Sequence, residues 1–339
     1  MSAKPIRVIQ YGYGLMGIVT VRYLIEKGFE LVGVIDNNPA VIGRDVGELS
    51  GLGGPIGITV TDDAEAVLTK GADCAVLEIM SLMSDMEPFF AACARHGINA
   101  ISTCEESFFP QTTAPEIFAR LDMLAKERGV TLTGSGYQDV YWGNLATLIS
   151  GSTHRITKLE GFSSYNVDEY GIALANVHGV GLTPEEFQRD IADANVPSFA
   201  MNVPGWLAGQ LGLRLTAISQ ELIPAYLDHD IESSTLGRTI LAGQAIGMNA
   251  RATATTAEGI EIVMEVCGKV YRPEDYDENN WTIHGEPTTE VRIAKPNTVE
   301  LTCATIVNRI PQVVAAPAGF VTLESLPAAR HLLPTDQQG

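Results

Sequence analysis

The sequence predicts an α/β protein: a doubly wound parallel sheet carrying an inserted α+β domain built on a mixed sheet. Short, continuously apolar runs alternate with helical stretches over the first 150 residues, the pattern of a parallel sheet covered on both faces. A glycine-rich turn joins the first of these strands to the first helix. Beyond that point the apolar runs give way to polar–apolar alternation, which marks a mixed or antiparallel sheet with one face towards solvent or a partner.

Taken in order, "IRVIQYG" is a β-rich run, "LMGIVTVRYLIEKG" has helical spacing and closes on Gly28, and "ELVGVID" is a second apolar strand. The strand "CAVLEIM" follows a helix, and a further helix over "MEPFFAACARHG" ends at Gly97. "NAISTC" is the next strand, "APEIFARLDMLAKERG" a charged amphipathic helix and "VTLTGSG" another strand. In the inserted part, "HRITKLEGFSSYNV", "ARATATTAEGIEIVMEVCGKVY", "NWTIHGE" and "TTEVRIAK" read as β-rich. "TPEEFQRDIADANV" and "GWLAGQLGLRLTAISQEL" read as helices. The tail "TCATIVNRIPQVVAAPAGFVTLESLPAARHL" turns apolar again and is expected to return to the first domain. A dinucleotide-binding domain over 1–145 and 306–339 is therefore expected, with 146–305 as a substrate-binding and oligomerisation domain.

At 339 residues the chain can hold two domains with their own cores. It has no run of about 18 apolar residues and no basic, hydrophobic leader, so a soluble cytoplasmic protein with no membrane partner is expected. Five cysteines (Cys74, Cys93, Cys104, Cys267 and Cys303) are odd in number and lack C-x-x-C spacing. That fits reduced thiols and argues against a metal site. "LDHDIE" has no second histidine or cysteine within range and reads as a surface turn or helix end. Forty-one acids against 22 bases give a net charge of −19, which repels phosphate backbones and excludes nucleic acid as a natural partner. A solvated sheet face would bury well against a twin, so a homodimer is expected.

"YGYGLMG" contains Gly12-x-Gly14-x-x-Gly17 between a strand and a helix. The motif is weak alone; its context makes it specific. Gly12 permits the tight turn, Gly14 lets backbone approach a pyrophosphate and Gly17 lets helix pack on strand, the Rossmann arrangement. Tyr13, Leu15 and Met16 complete the expected phosphate contacts, and the helix N-terminus adds free N–H groups and partial positive charge. Asp36 ends the second strand, 24 residues after Gly12, where an acid would bind the adenosine ribose hydroxyls. Asp36 favours NAD, whereas Asn37, Asn38 and Arg44 would accommodate a 2′-phosphate; NAD, NADP and dual use stay open.

In such a sheet, ligands sit beyond the carboxyl ends of the strands. Met80 and Ser81 end one strand, Cys104 and Glu105 the next, Gly136 and Tyr137 the one after, and these ends are expected to surround the nicotinamide. A lone glutamate at a strand end more often caps a helix or faces solvent. Successive side chains of an extended strand point to opposite faces. Glu105 is therefore expected to face the nicotinamide, and Glu106 the following helix, unless its charge instead keeps its neighbour's proton affinity high. His178, in "NVHGVG", reads as a loop or packing residue.

"VIGRDVGELSG" followed by "ITVTDDAEAVL" resembles dihydrodipicolinate reductase, as does the order of elements. The central domain departs, because nothing like the H-H-x-x-K motif of those reductases occurs in this chain. "STCEE", "GSGYQDVYWGNL" and "SYNVDEYG" are similar to the amine dehydrogenases related to 2,4-diaminopentanoate dehydrogenase. That resemblance implies reductive amination of ketones or aldehydes with ammonia and a nicotinamide cofactor. It carries the family's catalytic glutamate to Glu105 and its pocket aromatics to Tyr137, Trp142, Tyr165 and Tyr170, with Leu174 and Val177 nearby.

A carboxylate suits amine chemistry. An ammonium has no lone pair with which to expel a hydride until it loses a proton, and a nearby glutamate can take that proton. In the synthetic direction it would deprotonate ammonium and stabilise the cationic iminium. From Leu159 to Gln188 there is no Lys or Arg to hold a substrate carboxylate, so the sequence leans towards simple amines, with Arg238 and Arg251 as cations that lie elsewhere. Two alternatives stand beside this expectation: a 2,4-diaminopentanoate dehydrogenase or similar diamino-acid oxidoreductase, and a dinucleotide-sensing protein without turnover.

Overall fold

The computed structural model describes residues 4–334 and divides into two compact units, one running up to Val140 and resuming at Thr298, the other Tyr141–Asn297. The first unit opens with β1 (Arg7–Tyr11), α1 (Leu15–Glu26), β2 (Glu30–Ile35), α2 (Val46–Leu49), β3 (Val60–Thr61) and α3 (Ala64–Leu68). It continues with β4 (Cys74–Leu77), α4 (Met83–Arg95), β5 (Asn99–Ser102), α5 (Pro115–Arg128) and β6 (Thr131–Gly134). All six strands pair in parallel. Their side chains alternate between two cores. Val8, Val34, Val76 and Ile101 join Val21 and Leu24 of α1, while Ile9, Leu77 and Leu132 join Phe90 of α4 and Leu121 of α5. Each such fully buried aliphatic side chain stabilises the fold by about 1.5–3 kcal/mol.

The second unit contains α6 (Leu145–Ser150), β7 (Arg155–Asn166), α7 (Ile172–Val177), α8 (Pro184–Phe187), α9 (Asn202–Leu211) and β8 (Leu215–Tyr226). After these come β9 (Ile231–Ser233), β10 (Arg238–Ile240), β11 (Ala245–Thr256), β12 (Glu261–Lys269), β13 (Glu278–Glu286) and β14 (Thr289–Ala294). Six of the strands form a mixed sheet in the order β14-β13-β7-β12-β11-β8, in which β7 and β12 run parallel and the other neighbours antiparallel. One face is buried, with Leu159, Ala252, Met264 and Trp281 upon it; on the other, Phe162, Glu221, Arg251 and Glu265 keep access to solvent. The helix expected through "GWLAGQLGLRLTAISQEL" is two elements. Gly212, left-handed at φ 68°, closes α9, and β8 then pairs with β11, setting Ile218, Gln220 and Leu222 against Ala254, Ala252 and Ala250. "LDHDIE" leads into a small hairpin, with β9 antiparallel to β10.

The chain then returns as α10 (Thr298–Ala315) and β15 (Gly319–Phe320). The return begins at Thr298 and not at 306, because Thr302 and Cys303 in the opening turns of α10 are already buried in the first unit. Ile306, Ile310 and Val313 pack in the same core as Val21 and Leu24. β15 adds a seventh parallel strand beside β6, giving the order β15-β6-β5-β4-β1-β2-β3. Arg309 of α10 and Asp139 are both fully buried and form a bidentate pair at 2.7 and 2.8 Å. No described helix is long and apolar enough to cross a membrane.

Candidate active site

β1 lies between β2 and β4, so the connections from β1 and β4 diverge and open a crevice at the carboxyl ends of the strands. The glycine-rich turn sits there. Gly12 adopts φ 92°, and a Cβ on it would lie 2.1 Å from the carbonyl oxygen of Glu78. A Cβ on Gly17 would lie 2.3 Å from the carbonyl oxygen of Gly12. A Cβ on Gly14, by contrast, would meet nothing within 4 Å, so backbone is open to a ligand there. α1 begins with no side-chain cap and no acid in its first turn, which leaves its N–H groups and the positive end of its dipole for an anion. These residues fit a dinucleotide pyrophosphate.

Leu15 is exposed and Met16 half-buried at this end of α1. Tyr13 turns inward. Its side chain is buried, with the hydroxyl 2.5 Å from Ser50 Oγ and donating to the Val46 carbonyl at 3.1 Å. Its backbone N–H donates to Asp36 Oδ2 at 2.5 Å, and Asp36 Oδ1 accepts from Asn38 N at 2.7 Å. Asp36 thus braces the turn; Asn37, Asn38 and Arg44 are exposed beside it. Below the turn, Glu78 accepts from Gln10 Nε2 at 2.9 Å and from Thr20 Oγ1 at 2.8 Å. Burial pushes the Glu78 carboxyl up to about 7, against the opposing pull of those two hydrogen bonds.

Glu105 does not extend β5. That strand ends at Ser102, and Glu105 opens a 3₁₀ turn, Glu105–Phe108. Strand alternation therefore does not separate the two acids; the turn does. Burial raises the proton affinity of Glu105, and the Ser81 hydroxyl partly offsets this by donating to its carboxylate. The Ser81 carbonyl accepts from Glu106 N at 3.3 Å and from Cys104 Sγ at 3.2 Å, which knits together the segments that follow β4 and β5; β4 itself ends at Leu77 and not at Met80–Ser81. Met80 is exposed beside them. Glu106 Oε2 accepts from Met83 N at 2.6 Å and so caps α4, the preceding helix and not the following one. Like-charge repulsion by Glu106 is not among the causes that shift Glu105. In the same unit Tyr137 is buried, its N–H donating to Thr302 Oγ1 at 3.3 Å.

In the second unit Trp142 is buried, and its indole N–H has no hydrogen-bond partner among the described residues. Tyr165, on β7, stacks edge-on against Tyr170 at 5.6 Å and places its hydroxyl 2.7 Å from His178 Nε2. His178 Nδ1 lies 2.8 Å from the Leu174 carbonyl, which accepts its proton and leaves Nε2 to accept from Tyr165. Burial pushes the His178 imidazole down to about 4, so the ring is neutral. The structure thus brings Tyr165, Tyr170 and Leu174 together around His178, while Val177 is exposed on α7. Arg251 pairs with Glu265 on the sheet face opposite Tyr165, and Arg238 lies along Gly181. Among the described residues, no three His, Cys, Asp or Glu side chains converge as a metal site would require.

Sequence reasoning missed Gln10, Thr20 and Glu78 as a group, and the bonded role of His178. A glutamine within an apolar parallel strand was the available signal, since a buried amide needs partners.

An all-parallel sheet that opens such a turn at its switch point is the framework of an NAD(P)-dependent oxidoreductase. The family model for the C-terminal domain of 2,4-diaminopentanoate dehydrogenase matches residues 143–338, and that for the N-terminus of dihydrodipicolinate reductase matches residues 6–104. The chain belongs to the 2,4-diaminopentanoate dehydrogenase family. It is similar to the solved structure of an amine dehydrogenase from Mycobacterium smegmatis, with 38% identity, TM-score 0.89 and coverage of 97% of this chain and 98% of that one. It is 26% identical to a 2,4-diaminopentanoate dehydrogenase from Acetoanaerobium sticklandii over 97% of this chain and 96% of the relative. An amine dehydrogenase from Streptomyces virginiae is 27% identical over 68% of this chain and 66% of its own length.

Proposed function

We propose that the chain catalyses the reversible reductive amination of small apolar ketones and aldehydes with ammonia, with Glu105 as general base and iminium stabiliser. The observation that carries this reading is the half-buried Glu105 carboxyl beyond β5, beside Ser81 in the segment after β4, with its proton affinity raised by burial. When bound, the nicotinamide dinucleotide supplies or accepts the hydride. Gly12 to Gly17 hold its pyrophosphate, Asp36, Asn37 and Asn38 its adenosine ribose, and Met80, Ser81 and Cys104 flank the nicotinamide end. Glu105 removes a proton from the substrate ammonium in the oxidative direction, freeing the nitrogen lone pair. In the synthetic direction the same carboxylate deprotonates ammonium and balances the iminium charge. Tyr137, Trp142, Tyr165, Tyr170, Leu174 and Val177 are the proposed substrate contacts, in keeping with the apolar lining of small-ligand sites.

A diamino-acid substrate is the second reading, favoured by the nearly full-length similarity to 2,4-diaminopentanoate dehydrogenase. Arg251 would not serve its carboxylate, being paired with Glu265 on the face opposite Tyr165. The solvated face of the mixed sheet supports assembly as a homodimer. A panel of carbonyls with ammonia, run with NADH and with NADPH and set beside 2,4-diaminopentanoate oxidation, decides between the readings. Turnover restricted to the diamino acid would overturn the first.

A further inference from the structure

Beneath the glycine-rich turn lies a polar cluster that the proposed reaction does not use. Gln10 and Thr20 are fully buried, one on β1 beside the apolar Val8 and Ile9 and the other on α1, and both donate to Glu78 at the exit of β4. The same Gln10 Nε2 donates to the carbonyl of Gly12 at 2.8 Å, so one amide links the carboxyl to the turn. Backbone closes the unit: Glu78 N donates to the Tyr11 carbonyl at 2.8 Å, and Gly12 packs against the Glu78 carbonyl too closely for any side chain. Among the described residues no Lys, Arg or His pairs with Glu78. The contacts from β1 and α1 are uncharged. From α10 comes Cys303, whose thiol is kept protonated by burial and by Glu78 itself; Glu300 of α10 acts on both Cys303 and Tyr23 of α1.

We propose that Glu78 is a positioning residue for the dinucleotide, a proton-linked clamp under the phosphate turn that favours binding in its neutral form. The inference rests on the reading that this turn holds the pyrophosphate. An ionised Glu78 sets a negative charge one amide away from the backbone that must receive another anion, in a region poor in water, so the two repel. Neutral Glu78 keeps the bond from Gln10, while its bond with Thr20 is weaker than the charge-assisted one that the ionised carboxylate accepts. Because the free carboxyl already titrates near 7, binding draws in a proton across the neutral range. The sign follows: affinity is full below the free-state pKa and falls as pH rises towards the higher bound-state value. A rise of one pKa unit on binding corresponds to a tenfold change in Kd.

Titration of protein fluorescence with NADH from pH 6.5 to 9, and with NADPH above pH 7 where its 2′-phosphate is already mostly ionised, reads this directly. Kd is expected to rise about tenfold across the range, with proton uptake seen by calorimetry in buffers of different ionisation enthalpy. Glu78→Gln should bind at the low-pH Kd throughout and take up no proton. A flat wild-type profile without proton uptake, or a Glu78→Gln profile that still rises, overturns the clamp. Should Glu78→Gln fail to fold, Thr20→Val removes a bond that favours the ionised carboxyl, so the midpoint must move to higher pH; an unmoved midpoint overturns the clamp as well. Gly14→Asp projects a carboxylate into open space above the turn and should abolish binding. If it binds normally, the turn is not the pyrophosphate site and both readings fall, whereas loss of binding beside a flat wild-type profile removes the clamp alone.

Discussion

Glu105 and Glu106 are adjacent in sequence and differ in surroundings, so removing each in turn separates catalysis from stability. Glu105→Gln keeps the shape and an acceptor for Ser81 but cannot take a proton. Amine oxidation should fall by roughly 10²-fold or more, while dinucleotide binding is retained and unfolding in urea is unchanged or slightly harder, since a partly desolvated charge has been removed. Glu106→Ala removes the carboxylate that receives Met83 N at 2.6 Å. Loss of such a helix cap costs about 1–2 kcal/mol, and loss of a negative charge at the helix N-terminus adds about 0.3–1 kcal/mol; turnover should stay within a few-fold of the parent. The pH profile adds a third readout. Burial raises the Glu105 pKa above the ordinary 4.5, and the base acts only when ionised. Wild-type oxidation should therefore rise with pH through that raised value, and Glu105→Gln should lose this acidic limb. An active Glu105→Gln together with a folded but inactive Glu106→Ala would refute the assignment. Full activity in both would refute a carboxylate mechanism.

Three further outcomes are expected. Asp36→Ser should raise the ratio of NADPH to NADH efficiency by removing a charge that repels a 2′-phosphate, and should weaken both dinucleotides because Asp36 also braces Tyr13 N; an unchanged ratio shows that Asp36 does not face the ribose. Trp142→Ala should extend acceptance to longer carbonyl chains, each newly buried methylene contributing about 0.8 kcal/mol, whereas lost stability with an unchanged ranking of chain lengths places Trp142 in the core. Arg309→Met should destabilise the fold by about 3–5 kcal/mol, measured by urea unfolding, because it removes the counter-charge of the fully buried Asp139; a loss below about 1 kcal/mol would show that the pair is not desolvated.

The parallel sheet was legible because β1, β2 and β4 carry apolar residues on both faces and are each followed by helical spacing. The mixed sheet was legible from alternation, as in Leu159, Gly161 and Ser163, buried between more accessible neighbours on β7. β8 was not. Its exposed edge position gives weak alternation, and the apolar stretch before Gly212 is a genuine helix whose pattern runs on into "TAISQEL" with no proline to stop it. β15 has two residues and carries no period at all; it forms because α10 delivers it to the free edge of β6.

The site divides along the same physical line. The glycine turn and Asp36 are local features, set by steric rules that act within one strand–turn–helix unit. The position of Glu105 just beyond β5 was legible from topology, but the orientation of its neighbour was not, because strand alternation was carried past Ser102 into a 3₁₀ turn where it no longer holds. Gln10 shows what a sequence can and cannot disclose about a tertiary group. An amide in the middle of "IRVIQYG" cannot be left unbonded in a parallel sheet without a penalty of about 1–3 kcal/mol, so the existence of a partner was inferable. Its identity was not. Glu78 looked like an interruption near the end of β4 and Thr20 like a helix residue of no consequence, and no spacing rule joins positions 10, 20 and 78. They meet because β1 and β4 are neighbours in the sheet and α1 crosses over them. A polar residue in an apolar strand beside a switch point is thus a sign that something under the cofactor turn is being held, and the chemistry of its partner decides whether that hold depends on pH.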